Sequence, residues 1–341
     1  MLRSLPTMAL CVSFATFAAL AQPDGKRPWV PPGTAGSEID GTIFHAQVLL
    51  GAAGFSTGVI DGKDGSSFKE AVRGFQQSRG LQVTGRLDTP TRRALLEQNR
   101  RSTGYVKLSR EDISGDYVPR IPKKYADQAE LPGLKYRNML EEVAERYHTT
   151  PETIIALNGP KALIGVGKTL RLPNVIPASR DYRGELKPEH RAWFTKLNID
   201  SNQPRGDYII VDKSEGQLKV MDGSDRLVAQ FPVTTGSDYD PLPLGEWKVP
   251  TYAFLPPFHF QPELFWDVED AKPEEMLPPG PNSPVGVAWL DLSKEHYGIH
   301  GTSEPQNIGK TESHGCLRLT NWDVLRLSQI MRPGFRAIFR A

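Results

Sequence analysis

Cysteine is nearly absent: the 341-residue chain has two, Cys11 and Cys316. The first lies in an apolar stretch from Met8 to Leu20, behind Arg3 and ahead of Ala19-Leu20-Ala21 and Gln22. A basic start, a short hydrophobic core and an A-x-A site predict a secretory signal peptide over residues 1–21, cleaved after Ala21. A lipid anchor on Cys11 would need a longer apolar segment before it. Cleavage removes Cys11 and leaves Cys316 alone, which excludes an intramolecular disulfide. Long hydrophobic runs are missing too. The leader is too short to span a bilayer, and nothing after it approaches the ~20 apolar residues of a transmembrane helix. Charge of one sign is also lacking: 41 Lys and Arg stand against 40 Asp and Glu. No basic block points to nucleic acid and no acidic tail to a charge-driven partner. These absences describe an exported, soluble protein with no transmembrane segment after cleavage.

Glycine and proline are plentiful, 31 and 29 residues, and fall largely between periodic segments. That pattern predicts linked modules, and some 320 residues after cleavage suffice for two or three at ~100–200 each. Residues 22–38, rich in Pro and Gly, read as a linker. Over 39–98, Phe44, Val48, Leu49 and Leu50 form the stripe of a short helix that Gly54-Phe55 stops. Phe68, Ala71, Val72 and Phe75 repeat at helical spacing, and Thr89-Pro90-Thr91 caps a third helix through Leu96. The expectation is a small all-α module. Residues 99–130 are polar and broken by proline, and are expected to be a second linker.

Over 131–175, Leu140, Val143, Ala144 and Tyr147 make a helical stripe. Thr150 is placed as N-cap with Pro151 at the first helical position. A second helix runs to Asn158-Gly159, and Thr169 to Pro173 is a short strand. Residues 176–204 are expected to be a third linker. From Asp207 the period becomes that of strands. Tyr208–Asp212, Gln217–Met221 and Leu227–Val233 are separated by Glu215-Gly216 and Asp222-Gly223 turns, which predicts an antiparallel sheet that closes or nearly closes. Phe254 to Pro284 is aromatic and proline-rich and is expected to be an inserted loop or lid. Val324–Ile330 reads as a helix and Ala337–Phe339 as a last strand, so residues 205–341 are mainly β.

Cys316 lies in Ser313-His314-Gly315-Cys316-Leu317-Arg318-Leu319, with His300 upstream in Tyr297-Gly298-Ile299-His300-Gly301. A cysteine at its free pKa of ~8.5 is only a few per cent thiolate at neutral pH, and a neighbouring imidazole raises the reactive fraction as an ion pair. It can then pass its proton to a departing amine. Two histidines compete for that role. His314 would share the face of Cys316 in an extended chain. His300 is favoured, because a loop can aim its ring at sulphur while the other nitrogen meets a carbonyl such as that of Gly301. Gly315 lets the backbone turn and exposes the amides of Gly315 and Cys316 as an oxyanion hole. A zinc site drawn from His300, His314 and Cys316 lacks any Cys-x-x-Cys or His-Glu-x-x-His companion, so neither metal nor cofactor is expected. Ser66-Ser67-Phe68-Lys69 matches Ser-x-x-Lys by chance, since its Ser-Asp-Asn and Lys-Thr-Gly partners are missing.

Three resemblances follow. Leu49, Gly54, Gly58, Asp61-Gly62, Phe68, Ala71-Val72, Phe75-Gln76, Gly80-Leu81, Gly85 and Thr91 resemble the bacterial peptidoglycan-binding domain type one. Residues 131–175 resemble the second half of a LysM glycan-binding module, without its opening strand or Gly-Asp-Thr signature before Leu140. Ile299-His300-Gly301 and Ser313–Leu319, with Phe231–Gly236, Pro243–Trp247 and Pro279–Pro284, resemble the L,D-transpeptidases of the YkuD fold over residues 205–341. That last resemblance implies a β-sandwich domain in which the Cys316 thiolate takes an acyl group from a peptidoglycan stem tetrapeptide. D-alanine leaves, and the acyl group passes to an amine acceptor on a second stem or on an outer-membrane protein. It implies His300 as base, Gly301 as its orienting carbonyl, Gly315 and Cys316 as oxyanion donors, and Ser313 and His314 as shapers of the loop. Arg318 is expected to meet a substrate carboxylate. A periplasmic, wall-associated place follows. The alternatives are a cysteine-dependent L,D-carboxypeptidase, with water as acceptor, and a non-catalytic wall-binding protein.

Overall fold

The computed structural model describes residues 29–341 except 114, 267, 270 and 271. The expected signal peptide, with Cys11, lies outside the described residues. Three helices open the structure: α1 (Gly41–Ala52), α2 (Ser66–Ser78) and α3 (Thr89–Leu96). Asp40 caps α1 by accepting from Thr42 N and Ile43 N at 2.8 and 3.0 Å. Asp88, one residue before the expected cap, accepts from Thr91 N at the start of α3. Leu49, Leu50, Phe55, Phe68, Val72, Phe75 and Leu95 form the small core. Buried Gln76 ties the turn before α3, its carbonyl accepting from the amides of Thr84 and Gly85.

The middle region runs β1 (Thr103–Lys107), α4 (Tyr125–Ala129), α5 (Met139–Arg146), α6 (Pro151–Asn158) and β2 (Thr169–Pro173). Thr150 caps α6 as expected, through Thr153 N. β1 pairs antiparallel with β2, Thr103 opposite Pro173. The segment expected to be a linker, 99–130, therefore holds the opening strand and a short helix. The strand escaped notice because a two-stranded ribbon buries one face only: Tyr105 is 78 % exposed and little alternation remains.

After α7 (Pro188–Lys196) come β3 (Tyr208–Asp212), β4 (Gln217–Met221), β5 (Leu227–Pro232), β6 (Gly245–Val249), β7 (Tyr252–Phe254), β8 (Phe258–Phe260), β9 (Glu275–Leu277), β10 (Ala288–Asp291), β11 (Gly298–His300), β12 (Leu317–Arg318), α8 (Asn321–Ile330) and β13 (Phe335–Arg340). One sheet orders β5-β4-β3-β13-β6 and a second β12-β11-β10-β7. The domain is mainly β as expected, but not purely antiparallel. β13 runs parallel to β3, and β12 parallel to β11. A returning strand reached through a helix pairs in parallel, and its partner is invisible to local periodicity.

Between the sheets, Ile209, Val211, Leu218, Val220 and Phe231 meet Leu290, Ile299, Leu317 and the apolar side of α8. Phe194, Leu197 and Ile199 join this core fully buried, so the expected linker 176–204 is part of the two-sheet unit. Its apolar residues are too few and too widely spaced among charges to announce an element.

The alternate residues of the first sheet, Tyr208, Ile210, Met221 and Leu227, pack against Phe55, Phe68, Val72 and their neighbours in the helical module. That module also covers the sheet edge. Gln230 N donates to Gly54 O at 3.0 Å, and Ser56 N donates to Gln230 O at 2.8 Å, beside β5. Ser56 Oγ donates to buried Asp323 Oδ2 (2.6 Å), and Arg326 reaches both Asp323 Oδ1 (3.3 Å) and Gly51 O (2.8 Å). His148 stacks on Trp322 with ring centroids 5.1 Å apart. The modules are joined by a shared core and a polar lock. Among the described residues no helix is long and apolar enough to cross a membrane.

Candidate active site

Two short parallel strands position the motif residues. Ile299 lies opposite Leu317, and His300 opposite Arg318. Side chains alternate across a strand, so buried Ile299 and Leu317 enter the core. His300, Arg318 and Cys316, the residue just before β12, share the other face, with Cys316 diagonal to His300. On the opposite flank, residues 234–237 clamp the turn. Thr234 and Arg318 exchange backbone bonds of 3.0 and 2.9 Å, Ser313 N donates to Thr235 O (3.0 Å), and Ser237 N donates to Ser313 O (3.1 Å). Ser313 Oγ donates to Cys316 O at 2.5 Å and closes the turn.

Two glycines make this possible. Gly315 has φ +88°, and a Cβ there would come 2.7 Å from the Tyr297 ring. A Cβ on Gly236 would overlap the Asp240 carbonyl and lie 2.9 Å from Gly315 Cα. Next to Gly315, His314 lies against the insert. Its ring meets Phe265 edge-on at 5.0 Å and Trp266 at 6.1 Å. The two histidines diverge.

His300 Nδ1 lies 2.7 Å from Gly301 O. A carbonyl only accepts, so Nδ1 carries the hydrogen and Nε2 keeps its lone pair for a proton. Trp289 stacks on the ring at 5.3 Å and 13°. Behind Gly301 lies Asn321. Its Oδ1 accepts from Val287 N (3.0 Å), and its Nδ2 donates to Pro281 O (3.1 Å) and to Glu145 Oε1 (2.7 Å) in α5. Burial, with the Arg318 charge nearby, pushes the His300 imidazole down to about 3, partly offset by the Gly301 bond.

Cys316 is partly exposed but crowded. Burial pushes its thiol up to about 11, with Asp240 adding to the rise and the Gly298 backbone and Arg318 opposing it. Both directions favour a thiol and a neutral imidazole, in place of the ion pair expected from the sequence. Desolvation is the reason, since it penalises each charged form. The thiol donates to His296 O at 3.6 Å, from a residue held at φ +63°.

The insert expected over one face is a hairpin, Phe258 opposite Leu277 and Phe260 opposite Glu275. It rests on α4, where Tyr125 lies 4.3 Å from Phe260, and on buried Leu134. Its tip brings Trp266 onto Tyr239 (4.4 Å, 21°) and Phe265 onto His314. Arg318 is half-buried and feels Cys316 first, then Tyr125 and Glu304.

Sequence reasoning placed Cys316, His300, Gly301, Gly315, Ser313 and Arg318 together, and the structure brings them together. It missed Tyr297, Asn321, Glu145 and Asp240. Tyr297 immediately precedes the Gly298-Ile299-His300 strand and was the one with a local signal. Two spaces lie elsewhere, between modules: a cavity of about 70 Å³ beside Ser56, His148 and Arg326, and a groove of about 380 Å³ between Tyr136, Pro151 and Glu304. Among the described residues no group of three His, Cys, Asp or Glu side chains is placed to hold a metal ion.

Comparison with known proteins finds two families along the chain. Residues 206–338 match the family model described as L,D-transpeptidase catalytic domain (YkuD), and residues 42–95 match "Putative peptidoglycan binding domain". The chain is 37 % identical over 112 residues to "Putative L,D-transpeptidase YkuD" of Bacillus licheniformis, covering 33 % of this chain and 53 % of that protein. It is 29 % identical over 140 residues to "Putative L,D-transpeptidase YqjB" of Bacillus subtilis, covering 40 % and 72 %. The match thus spans about half the length of the first of these relatives. A solved L,D-transpeptidase from Xylanimonas cellulosilytica aligns with 92 % of this chain and 100 % of its own at 14 % identity and TM-score 0.36. Residues 206–338 thus match the YkuD family of L,D-transpeptidase catalytic domains, and residues 42–95 the peptidoglycan-binding family.

Proposed function

We propose that this chain is an exported L,D-transpeptidase that forms a thioester on Cys316 from a peptidoglycan stem tetrapeptide. One observation carries the proposal. The 2.7 Å bond from His300 Nδ1 to Gly301 O fixes the tautomer and leaves Nε2 as the base on the face of Cys316. Because burial opposes both the thiolate and the imidazolium, proton transfer accompanies attack rather than preceding it. Sγ leaves the His296 carbonyl, gives its proton to Nε2 and bonds to the carbonyl carbon preceding D-alanine. The amides of Gly315 and Cys316 hold the oxyanion, a service typically worth ~2.7–4 kcal/mol per donor. On collapse the C–N bond breaks, His300 returns the proton to the departing amine, and D-alanine leaves. An acceptor amine then attacks the thioester, gives its proton to His300 and restores the thiol. Arg318 serves the C-terminal carboxylate of the donor and opposes a lasting imidazolium. Ser313 and His314 shape the loop, His314 through Phe265 and Trp266. Peptidoglycan is the partner, reached in the periplasm, with a stem amine or an outer-membrane protein amine as acceptor. In the middle region β1, α5, α6 and β2, with the short α4 inserted after β1, support a LysM-like module.

The test mixes purified protein with disaccharide-tetrapeptide and follows D-alanine and cross-linked dimer by mass spectrometry. Wild type is expected to give both, and Cys316→Ala neither. D-alanine without dimer would assign the acyl group to water, and binding to sacculi without any release would leave a non-catalytic wall protein.

A further inference from the structure

One carboxylate behind the proposed base comes from outside residues 206–338. Glu145 lies in α5 of the middle region and is buried. Its Oε1 accepts from Asn321 Nδ2 at 2.7 Å, and its Oε2 accepts from the Tyr136 hydroxyl at 2.5 Å. Tyr136 is buried as well, with Lys196 Nζ over its ring at 5.1 Å. The two carboxylate oxygens are thus aimed by donors on either side of the seam, one in the middle region and one in the two-sheet unit.

Asn321 opens α8 and has no exposed surface. Its amide can sit only one way. Val287 N–H, 3.0 Å away, needs an acceptor and so meets Oδ1, which leaves Nδ2 for two oxygens, Pro281 O at 3.1 Å and Glu145 Oε1. Oδ1 then fills a slot between two glycines: a Cβ on either Gly286 or Gly301 would lie 2.0 Å from it. A Cβ on Gly286 would also lie 2.7 Å from the Gly301 carbonyl carbon. The amide is a wedge against which the Gly301 peptide rests, and the Gly301 carbonyl holds His300 Nδ1 at 2.7 Å. Of the three hydrogen bonds that fix the wedge, the one to Glu145 is made to a side chain, and that side chain belongs to another module. Without it a buried N–H would be left unpaired, and the amide would be free to turn.

We propose that Glu145 is a positioning residue for the base: acting through Asn321 and Gly301, it sets the tautomer and aim of His300, so that the middle region is a working part of the acyl-transfer site. The proposal rests on His300 as base in the reading above and adds how its ring is held. A bond that merely joined α5 to α8 would change stability and leave the ring as it is.

The test uses the full chain with two substitutions. Glu145→Met keeps the volume and loses the acceptor, while Glu145→Gln keeps a carbonyl for Asn321. Acylation of Cys316 by a carbapenem is followed over a range of concentrations, which separates the maximal rate constant from the half-saturating concentration. In Glu145→Met the maximal rate constant is expected to fall roughly tenfold to hundredfold, with half-saturation unchanged, as for a lost hydrogen bond to a buried carboxylate. Glu145→Gln is expected to keep most of it. Nitrogen-15 NMR of histidine-labelled protein reads the tautomer without turnover, the His300 signals being identified by their loss in His300→Ala. Wild type and Glu145→Gln are expected to carry the His300 hydrogen on Nδ1 alone, and Glu145→Met to show a mixture. Asn321→Ala breaks the same chain of contacts from the other side and is expected to match Glu145→Met, which keeps the test open if one variant fails to fold. The wild-type tautomer in Glu145→Met or Asn321→Ala would overturn the assignment. So would an equal loss of rate in Glu145→Gln and Glu145→Met. No acylation of wild type would instead reject the proposed function, while the tautomer would still decide the positioning.

Discussion

The thiol proposed as nucleophile sits in surroundings that resist its ionisation, and the imidazole proposed as its base resists protonation. With the thiol pushed up to about 11 and the imidazole down to about 3, the reactive form is the uncharged pair, and its population is constant between those limits. The rate constant for acylation of Cys316 by a carbapenem is therefore expected to be flat from about pH 5 to 9. A simple exposed thiol would gain about tenfold per pH unit below its pKa. A slope near one would show that a free thiolate attacks, and would remove His300 from the step. His300→Ala is expected to lose nearly all acylation, while His314→Ala, which loses ring contacts to Phe265 and Trp266, retains it. Cys316, His300 and Gly301 were legible in the sequence because their chemistry is local, within two short runs. Asp240 and Asn321 were not, since each acquires meaning only through residues brought to it by another strand.

Among elements, the short parallel pair of β11 and β12 depends on backbone packed without side chains. Gly236→Ala would force the 234–240 segment off both Asp240 O and Gly315, an overpacking expected to cost about 1–3 kcal/mol. Thermal melting would record the loss, and carbapenem labelling of Cys316 would fall with it as the turn shifts. The strands over 208–232 and the three leading helices were readable because one period persisted through each. β1, α4 and α7 were lost among polar and proline-broken stretches. Tyr125 on α4 is partly buried and Phe194 on α7 fully buried, each by partners distant in sequence. The insert was recognised from composition alone, and its hairpin register was not.

For the molecule as a whole, the polar lock between modules, built on the Asp323–Arg326 pair within α8, should govern stability. Arg326→Met would leave the buried Asp323 with Ser56 Oγ and Thr320 but no cation. Breaking a buried pair this way typically costs about 3–5 kcal/mol, readable by denaturant unfolding. A second joint is pH-dependent. Glu145 accepts from Tyr136 OH (2.5 Å) and Asn321 Nδ2 (2.7 Å), yet burial raises it from 4.5 to about 7. Between those values the folded chain binds a proton that the unfolded chain has released, so stability falls as pH rises through this window. The contribution lost is roughly 3 kcal/mol. Buried His148, pushed down to about 3, acts oppositely, losing stability as pH falls below 6.5. Glu145→Gln keeps a donor and an acceptor in place and is expected to flatten the decline in melting temperature between pH 5 and 7. An unchanged decline would show that another group carries it.

The seam at Gly54, Ser56 and Gln230 bears on how such an enzyme would measure its polymer. A wall-binding module on a slack leash raises the local supply of every stem within reach, whatever its orientation. A module hydrogen-bonded to the sheet edge behaves as a caliper: with one jaw on the strand, the thiol stands at a set span and angle from it. Under the proposed function stems would then compete by their phase along the glycan, and a fixed pitch of modification is the signature to seek in the digested wall.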